Sequence, residues 1–198
     1  MTLNVRSENT LFSPAEAETI TGVGVAMQRD WRRRGIIEKA DDGWSRYDRQ
    51  SLAELTIIKR LGDAGIPPSL AKDWAVWAGW RLADHALLHP DAEEVHGREL
   101  LEAFEARVGR TIPLPGRYQT SDHLTVDQRF LVVRAGNVPS LTNHLNGFFD
   151  NEFFDSDTKD FLDPGAVVVL DLLAAGFTMA KRAGRPLHVV IVEDKDDE

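Results

Sequence analysis

The sequence lacks cysteine entirely, and it has no apolar run long enough to cross a lipid bilayer. Without thiols the chain forms no disulfide, has no thiolate nucleophile and cannot bind metals through sulfur. Its longest apolar-rich stretch, residues 166–180, is interrupted by Asp171 and falls short of the ~20 residues of a membrane span. The first residues also lack the apolar core of a signal peptide. These absences predict a cytoplasmic protein that does not contact membranes.

Signatures of catalysis and metal binding are also missing from the sequence. There is no glycine-rich phosphate loop and no dinucleotide fingerprint. His85 and His89 are four residues apart, a spacing that suits a metal but often arises by chance. The acidic residues 150–160 lack the glycine and the closing glutamate of a calcium loop, and Ser140 and His144 lack the third member of a hydrolase triad. We therefore predict that the protein is not an enzyme and has no cofactor or metal.

The first third of the chain carries signals for two short helices joined by a tight turn. Ser13 begins a Ser-x-x-Glu capping box, and Pro14 suits the first position of the helix that follows. Gly22 supplies the open backbone for a turn, and Gly35 ends a second helix that starts near residue 23. This order predicts a helix-turn-helix.

The second helix has a basic side and an apolar side. Three arginines follow one another at helical spacing on the basic side: Arg29, Arg32 and Arg33. The apolar side, which we expect to face the core, contains Val23, Met27 and Trp31. Because the planar arginine fork fits both phosphate oxygens and the O6/N7 edge of guanine, a short helix of this kind suits a major groove.

A small β wing and a third helix are predicted next. The sequence Asp41-Asp42-Gly43 between short flanks is a hairpin signal. Asp48 then caps a helix whose apolar residues recur at three-residue steps until Gly62 and Gly65: Leu52, Leu55, Ile58 and Leu61.

Residues 11–74 resemble the DNA-binding domain of the MerR family of bacterial regulators. The matching features are spread along the segment: Thr21-Gly22-Val23 at the turn, Arg29 and Trp31 on the second helix, Gly35-Ile36-Ile37 after it, Gly43-Trp44 and Tyr47 in the wing, and Ile57, Arg60, Leu61, Gly65 and Ile66 at the close of the next helix. The resemblance covers roughly a third of the chain. It implies a winged helix-turn-helix that binds double-stranded DNA and regulates transcription in a bacterium or a phage.

Five residues are predicted to contact DNA: Arg29, Arg32, Arg33, Arg46 and Tyr47. The net charge of −9 does not contradict this prediction, because residues 1–65 contain equal numbers of basic and acidic side chains. The whole negative excess lies in residues 66–198. Affinity for DNA depends on local neutralisation of phosphates, which clustered arginines can provide beside an acidic remainder.

The segment departs from the MerR pattern at four positions. Ala26 stands for a basic residue, Gln28 for an apolar one, Asp30 for a tyrosine, and Ser45 for the arginine that often follows the aromatic residue of the wing. Two alternatives to a transcription regulator therefore stay open. One is a phage-type DNA-architecture protein, similar to an excisionase or a small terminase subunit. The other is a protein-interaction module whose winged fold no longer binds DNA.

A long helix predicted for residues 68–88 is apolar on two sides. One stripe contains Leu70, Trp74, Trp77 and Leu82, and the other contains Val76, Trp80, Ala83 and Leu87. We expect Trp74, Trp77 and Trp80 at a dimer or domain interface, where indole rings are favoured. In the MerR family the helix at this place leads into dimerisation, so the resemblance implies a homodimer.

The rest of the chain predicts a small mixed module. An amphipathic helix is expected for residues 93–108, with Leu100, Leu101, Phe104 and Val108 facing inward, and apolar strands are expected for residues 130–133 and 187–192. Between them, residues 166–170 favour a strand followed by a helix that ends at Gly184.

The predicted fold class is α+β, with two parts. Residues 10–88 form a winged helix-turn-helix with its tryptophan-rich connecting helix, and residues 89–198 form an acidic α+β module that binds a protein partner or a small effector. We expect residues 110–198 to be dispensable for folding of the DNA-binding part.

Overall fold

The computed structural model describes residues 2–38, 46–112, 128–134, 139–145 and 167–195. These ranges contain six helices: α1 (Pro14–Thr21), α2 (Val25–Arg33), α3 (Arg49–Asp63), α4 (Pro68–Ala86), α5 (Arg98–Val108) and α6 (Leu172–Ala183). They also contain six strands: β1 (Leu3–Asn9), β2 (Glu93–His96), β3 (Phe130–Arg134), β4 (Ser140–Thr142), β5 (Val167–Asp171) and β6 (His188–Asp194). The predicted α+β class is confirmed. None of the described helices is long and apolar enough to cross a membrane.

Local signals in the sequence set the ends of α1 and the turn after it. The Ser13 hydroxyl accepts from the Glu16 N–H, and the Glu16 carboxylate accepts from the Ser13 N–H at 2.7 Å, which completes the predicted capping box. Gly22, at φ +78°, ends α1 and donates its N–H to the carbonyl of Glu18. This left-handed backbone favours glycine.

The inward side of α2 differs from the predicted one. Met27 is 43% exposed, whereas Gln28 is fully buried beside Trp31. The prediction that Met27 faces the core was wrong. It assumed helical spacing from Val23, but Val23 lies before the first turn of α2. Counted along the helix itself, Gln28 and Trp31 are three residues apart and share the inward side.

Helix α4 buries small residues and exposes large ones. Its buried side consists largely of small residues, among them Ala71, Ala75, Ala78, Gly79, Ala83 and Ala86, and it packs against α3 and α6. A Cβ atom added to Gly176 of α6 would lie only 2.7–2.8 Å from backbone atoms of Ala86 and Leu82. The predicted apolar stripes were therefore wrong in part, because close approach of the neighbouring helices selects small residues at the contact. Val76 and Trp80 remain 52% and 56% exposed.

The chain after α4 forms a strand where we predicted helix. Residues 93–108 divide into β2, which pairs in parallel with β6, and the shorter helix α5. Gly97 separates them at φ +77°, where a Cβ would lie 2.2 Å from the Val192 carbonyl oxygen. In α5 Leu101 is buried, while Leu100 and Val108 are exposed. Pairing with β6 overrides the helical pattern of this short polar segment.

The six strands form two three-stranded sheets, β1-β6-β2 and β4-β3-β5. The predicted strands at β3, β5 and β6 and the helix α6 between the last two are confirmed. However, β5 and β6 belong to different sheets. Strand β1, which was not predicted, pairs antiparallel with β6 from Leu3 opposite Asp194 to Asn9 opposite His188.

One hydrophobic core crosses the predicted boundary at residue 88. The largest cluster of buried residues runs from Phe12 to Leu187 and includes Leu172, Ala175 and Met179 of α6. Helix α6 packs against α1, α3 and α4. The guanidinium of Arg185 donates to the Glu16 carboxylate at 2.8 Å and lies over the Phe12 ring. The predicted division therefore does not follow the packing, because the C-terminal helix supplies part of the core under the helix-turn-helix.

Two buried histidines lie within this fold. His85 on α4 and His188 on β6 are 6% and 5% exposed, and the Nε2 atom of each has no hydrogen-bond partner. Burial lowers the pKa of both side chains. The folded protein therefore holds both histidines neutral at a pH where they would be protonated in water.

The free energy of unfolding is expected to decrease as the pH falls below ~6.5, the pKa of an unperturbed histidine. Because the folded-state pKa values are depressed, the unfolded chain binds protons first on acidification, and protonation favours unfolding. Urea unfolding at about pH 7.5 and about pH 5.5 measures the difference. Replacing both buried histidines by glutamine should reduce it, whereas His144→Gln, at an exposed position, should not. Equal stability of the wild type at both pH values would contradict the prediction.

Candidate nucleic-acid interface

The exposed side of α2 carries arginines and one acid. Arg29 is exposed, and the Arg33 side chain is 80% exposed. Asp30 lies between them and accepts from Arg33 at 2.5 Å and from Arg34 at 3.4 Å. The family resemblance places a tyrosine where Asp30 stands. The acid therefore neutralises part of the basic surface that the arginines create.

The buried side of α2 is held by the side chain of Gln28. Its Nε2 group donates to the carbonyls of Pro14 at 2.9 Å and Val23 at 2.8 Å, and its Oε1 atom accepts from the Tyr47 hydroxyl at 2.9 Å. The amide thus connects the start of α1, the turn and the segment before α3. In the sequence, Gln28 stands out only as a polar residue where the family pattern has an apolar one. An amide that replaces a buried apolar residue needs hydrogen-bond partners. A polar residue at this apolar position was therefore the sequence signal that could have predicted the network.

Tyr47 holds Arg32 and is itself buried. The Arg32 guanidinium donates to the Tyr47 hydroxyl and lies 4.9 Å from the centre of its ring. Tyr47 is only 4% exposed, and burial raises the pKa of its hydroxyl while the nearby Arg32 opposes the shift. The neutral hydroxyl can therefore donate to Gln28 and accept from Arg32 at the same time. Backbone hydrogen bonds between Phe12 and Tyr47, at 2.8 and 2.9 Å, fix the tyrosine against the start of the domain.

A second acid lies at the N-terminus of α2. The Glu18 carboxylate accepts from the backbone N–H of Val25 at 3.1 Å. The first N–H groups of a helix favour negative charge and often bind phosphate. Because Glu18 is exposed at this position, a phosphate arriving there would have to displace or share it.

The structure brings some of the predicted site residues together and separates others. Arg32, Arg46 and Tyr47 line one groove, and Trp80 lines it as well. Trp74 and Trp77 are half-buried against the main core. Most of the predicted wing, including Gly43 and Trp44, lies outside the described residues, whereas Tyr47 lies within them.

The histidines considered as metal ligands do not form a centre. His85 is buried, and His89 lies with its ring edge-on to Phe177 at 5.7 Å. Among the residues that the structure describes, no three His, Asp or Glu side chains are placed to hold a metal ion.

Two short helices joined by a glycine turn, with arginines on the exposed side of the second, define a helix-turn-helix of the DNA-binding kind. Residues 12–75 match the family model described as MerR HTH family regulatory protein. The N-terminal third of the chain is therefore a MerR-family helix-turn-helix domain, which confirms the resemblance and indicates a DNA-binding transcription regulator. No curated protein matches the chain.

Proposed function

We propose that the protein regulates transcription by sequence-specific binding of double-stranded DNA, with α2 as the recognition helix. The observation that carries this proposal is the exposed arginine side of α2, held on a buried Gln28–Tyr47 network. A rigidly placed helix can present Arg29 to base edges in the major groove, where the arginine fork fits guanine. Arg33 and Arg46 are exposed and suit the neutralisation of phosphates.

Arg32 and Tyr47 have a different part in this proposal. Tyr47 is a positioning residue because its ring and hydroxyl are buried and both contact Arg32. Arg32 is half-buried, and the N–H groups of its guanidinium that do not contact Tyr47 would bind DNA. The predicted wing would add further contacts to DNA.

Arg29→Ala is expected to weaken specific DNA binding by about 1–3 kcal/mol, because a direct base contact is lost. Sites are first selected from a random DNA pool with the wild-type protein, and affinity is then measured by fluorescence anisotropy over a range of salt concentrations. Arg98→Ala on α5 removes the same charge from another exposed surface and serves as the matched control.

Asp30→Asn is expected to change DNA affinity in the opposite direction. The substitution releases Arg33 and Arg34 from their ion pairs, so affinity should increase several-fold at low salt and fall more steeply as salt is added. If Arg29→Ala binds the selected sites as tightly as Arg98→Ala does, α2 is not the recognition helix.

A protein-interaction module is the second candidate function. It is favoured by the two acids, Glu18 and Asp30, that stand on the exposed surface of the helix-turn-helix. This alternative predicts that no DNA is recovered from the random pool. A DNA-architecture protein would instead recover DNA and bend it, which circularly permuted fragments would reveal as changed gel mobility.

Three further expectations stay predictions. The acidic C-terminal part is proposed to receive a protein partner or a small effector, the protein is proposed to be a homodimer, and it is proposed not to be an enzyme. Trp80 is the exposed member of the three tryptophans assigned to an interface, since Trp74 and Trp77 pack against the core of their own chain.

A further inference from the structure

A groove of about 450 Å³ lies between the end of α2, the side of α3 from Gln50 to Ile58 and the outer side of α4. We call it the α3–α4 groove. Leu55 and Ile58 of α3 form part of its apolar lining, and the exposed side chains of Val76 and Trp80 stand along α4. Its volume falls within the ~300–1,000 Å³ of sites that bind small molecules.

One polar group in this groove lacks a partner. The Gln50 Nε2 group donates to the Glu54 carboxylate at 2.9 Å and to the Val76 carbonyl at 3.2 Å. Both neighbours are acceptors, so the amide cannot be turned around without placing its oxygen against them. The Gln50 Oε1 atom is consequently buried with no hydrogen-bond partner. A buried acceptor in this state costs free energy, which a donor from outside the chain would recover.

Glu54 lies beside this amide and is half-buried. Burial raises the pKa of its carboxyl, and the negative charges of Glu38 and Asp48 act in the same direction. The close approach of α4 at Gly79 contributes to this desolvation, since a Cβ there would lie 3.0 Å from the Glu54 side chain. Two acceptors, one of them a carboxylate, thus lie together where Gly79 of α4 approaches α3 closely.

Two of the three cations that line the groove, Lys72 and Arg32, have other partners, and the third, Arg46, is exposed. Lys72 donates to the Gly35 carbonyl at 3.3 Å, and Arg32 lies against Tyr47. Neither contact involves Gln50 or Glu54. Among the described residues no donor reaches the Gln50 oxygen, so the acceptor pair can take a donor from outside the chain.

We propose that the α3–α4 groove binds a small planar aromatic molecule that carries an amino group. The ring would lie against Trp80 and Val76, where an exposed indole offers a face for stacking. The amino group would donate to Gln50 Oε1 and to the Glu54 carboxylate, in a charge-assisted hydrogen bond. Both ends of such a molecule meet groups that are otherwise exposed or unsatisfied.

Occupancy of the groove couples to DNA binding, a consequence that rests on the proposed function. Arg32 and Arg46, two of the predicted DNA contacts, line the same groove. A ligand that alters their placement changes the affinity for DNA, and DNA changes the affinity for the ligand by the same factor. A ligand in this groove would then act inside the helix-turn-helix domain, separately from any partner or effector of the C-terminal part.

The test uses tryptamine and indole as probes, with the full-length protein as wild type and as Glu54→Gln. Calorimetry and amide chemical shifts measure binding without DNA. Glu54→Gln should weaken tryptamine at least about tenfold, the effect of one lost charge-assisted hydrogen bond, and leave indole unchanged. Trp80→Ala, at an exposed position, should weaken both probes. Glu102→Gln on the exposed side of α5 is the matched control and should bind like wild type.

Three other results would contradict the proposed binding site. If tryptamine does not bind the wild type, or binds wild type and Glu54→Gln equally, the groove does not bind an amino group through Gln50 and Glu54. Light scattering that shows a dimer dissociated by Trp80→Glu assigns the groove to a second copy of the chain. Because ligand binding is measured without DNA, failure to bind any DNA would refute the proposed function and leave the site in place.

Discussion

A chain that ends at Leu88 is expected not to fold, although it contains the whole helix-turn-helix and α4. This reverses the expectation drawn from the sequence that residues 110–198 are dispensable for folding of the DNA-binding part. The missing helix α6 buries Leu172, Ala175 and Met179 in the main core, against α1, α3 and α4. Full burial of one large apolar side chain contributes about 1.5–3 kcal/mol, so the loss of several approaches the ~5–15 kcal/mol that stabilises a whole domain. Circular dichroism and amide exchange of residues 1–88 measure the effect. A cooperatively folded fragment would contradict it.

A single substitution tests the same contact without deleting anything. Gly176→Ala places a methyl group 2.7–2.8 Å from backbone atoms of α4, which cannot move aside as a flexible side chain could. We expect the free energy of unfolding to decrease by about 1–3 kcal/mol, as in other overpacked cores. Gly62→Ala in α3 is the matched control, because nothing lies within 4 Å of the added carbon. Equal stabilities of the two variants would show that α6 is not closely packed on α4.

Gln28→Leu is expected to lower both stability and DNA specificity. The substitution restores the apolar residue typical of the family but leaves the Pro14 and Val23 carbonyls and the Tyr47 hydroxyl without their partner. Unsatisfied buried groups cost about 1–3 kcal/mol each, and these three share one side chain, so a total of about 2–4 kcal/mol is expected. Urea unfolding measures it.

Measuring DNA binding by Gln28→Leu distinguishes a role of Gln28 in positioning Arg32 from a role in stability alone. With Tyr47 released, Arg32 loses its fixed place, so the affinity ratio between selected and random DNA should fall while the protein is still folded. Met27→Leu changes an exposed neighbour on the same helix and should leave both quantities unchanged. Stability and specificity equal to wild type in Gln28→Leu would mean that the amide network has no positioning role.

Short-range signals account for the parts of the fold that could be predicted from the sequence. The capping box at Ser13, the left-handed turn at Gly22 and the apolar strand β3 each depend on a few consecutive residues. The same holds for β5 and α6, which follow directly from the Asp171 cap and the Gly184 stop. Such signals determine a helix or strand independently of how the rest of the chain folds.

The missed parts depend on partners far away in the sequence. Strands β1 and β2 are polar edge strands, so they show little of the alternation that marks a half-buried strand, and only pairing with β6 makes them strands. In the candidate interface, the arginines of α2 could be predicted from their spacing. The burial of Tyr47 and the role of Gln28 could not, because both depend on how α1, α2 and the segment before α3 meet.

The pairing of β1 with β6 has a consequence for synthesis on the ribosome. Residues 3–9 leave the exit tunnel long before their partners, residues 188–194, are made. Helix α6, just before β6, is equally late, and the core beneath the helix-turn-helix stays open until it arrives. Long-range closure of this kind is slow and leaves apolar surface exposed in the meantime. The helix-turn-helix of a nascent chain therefore completes its core only after α6 has been synthesised, and products that terminate before α6 would lack that core.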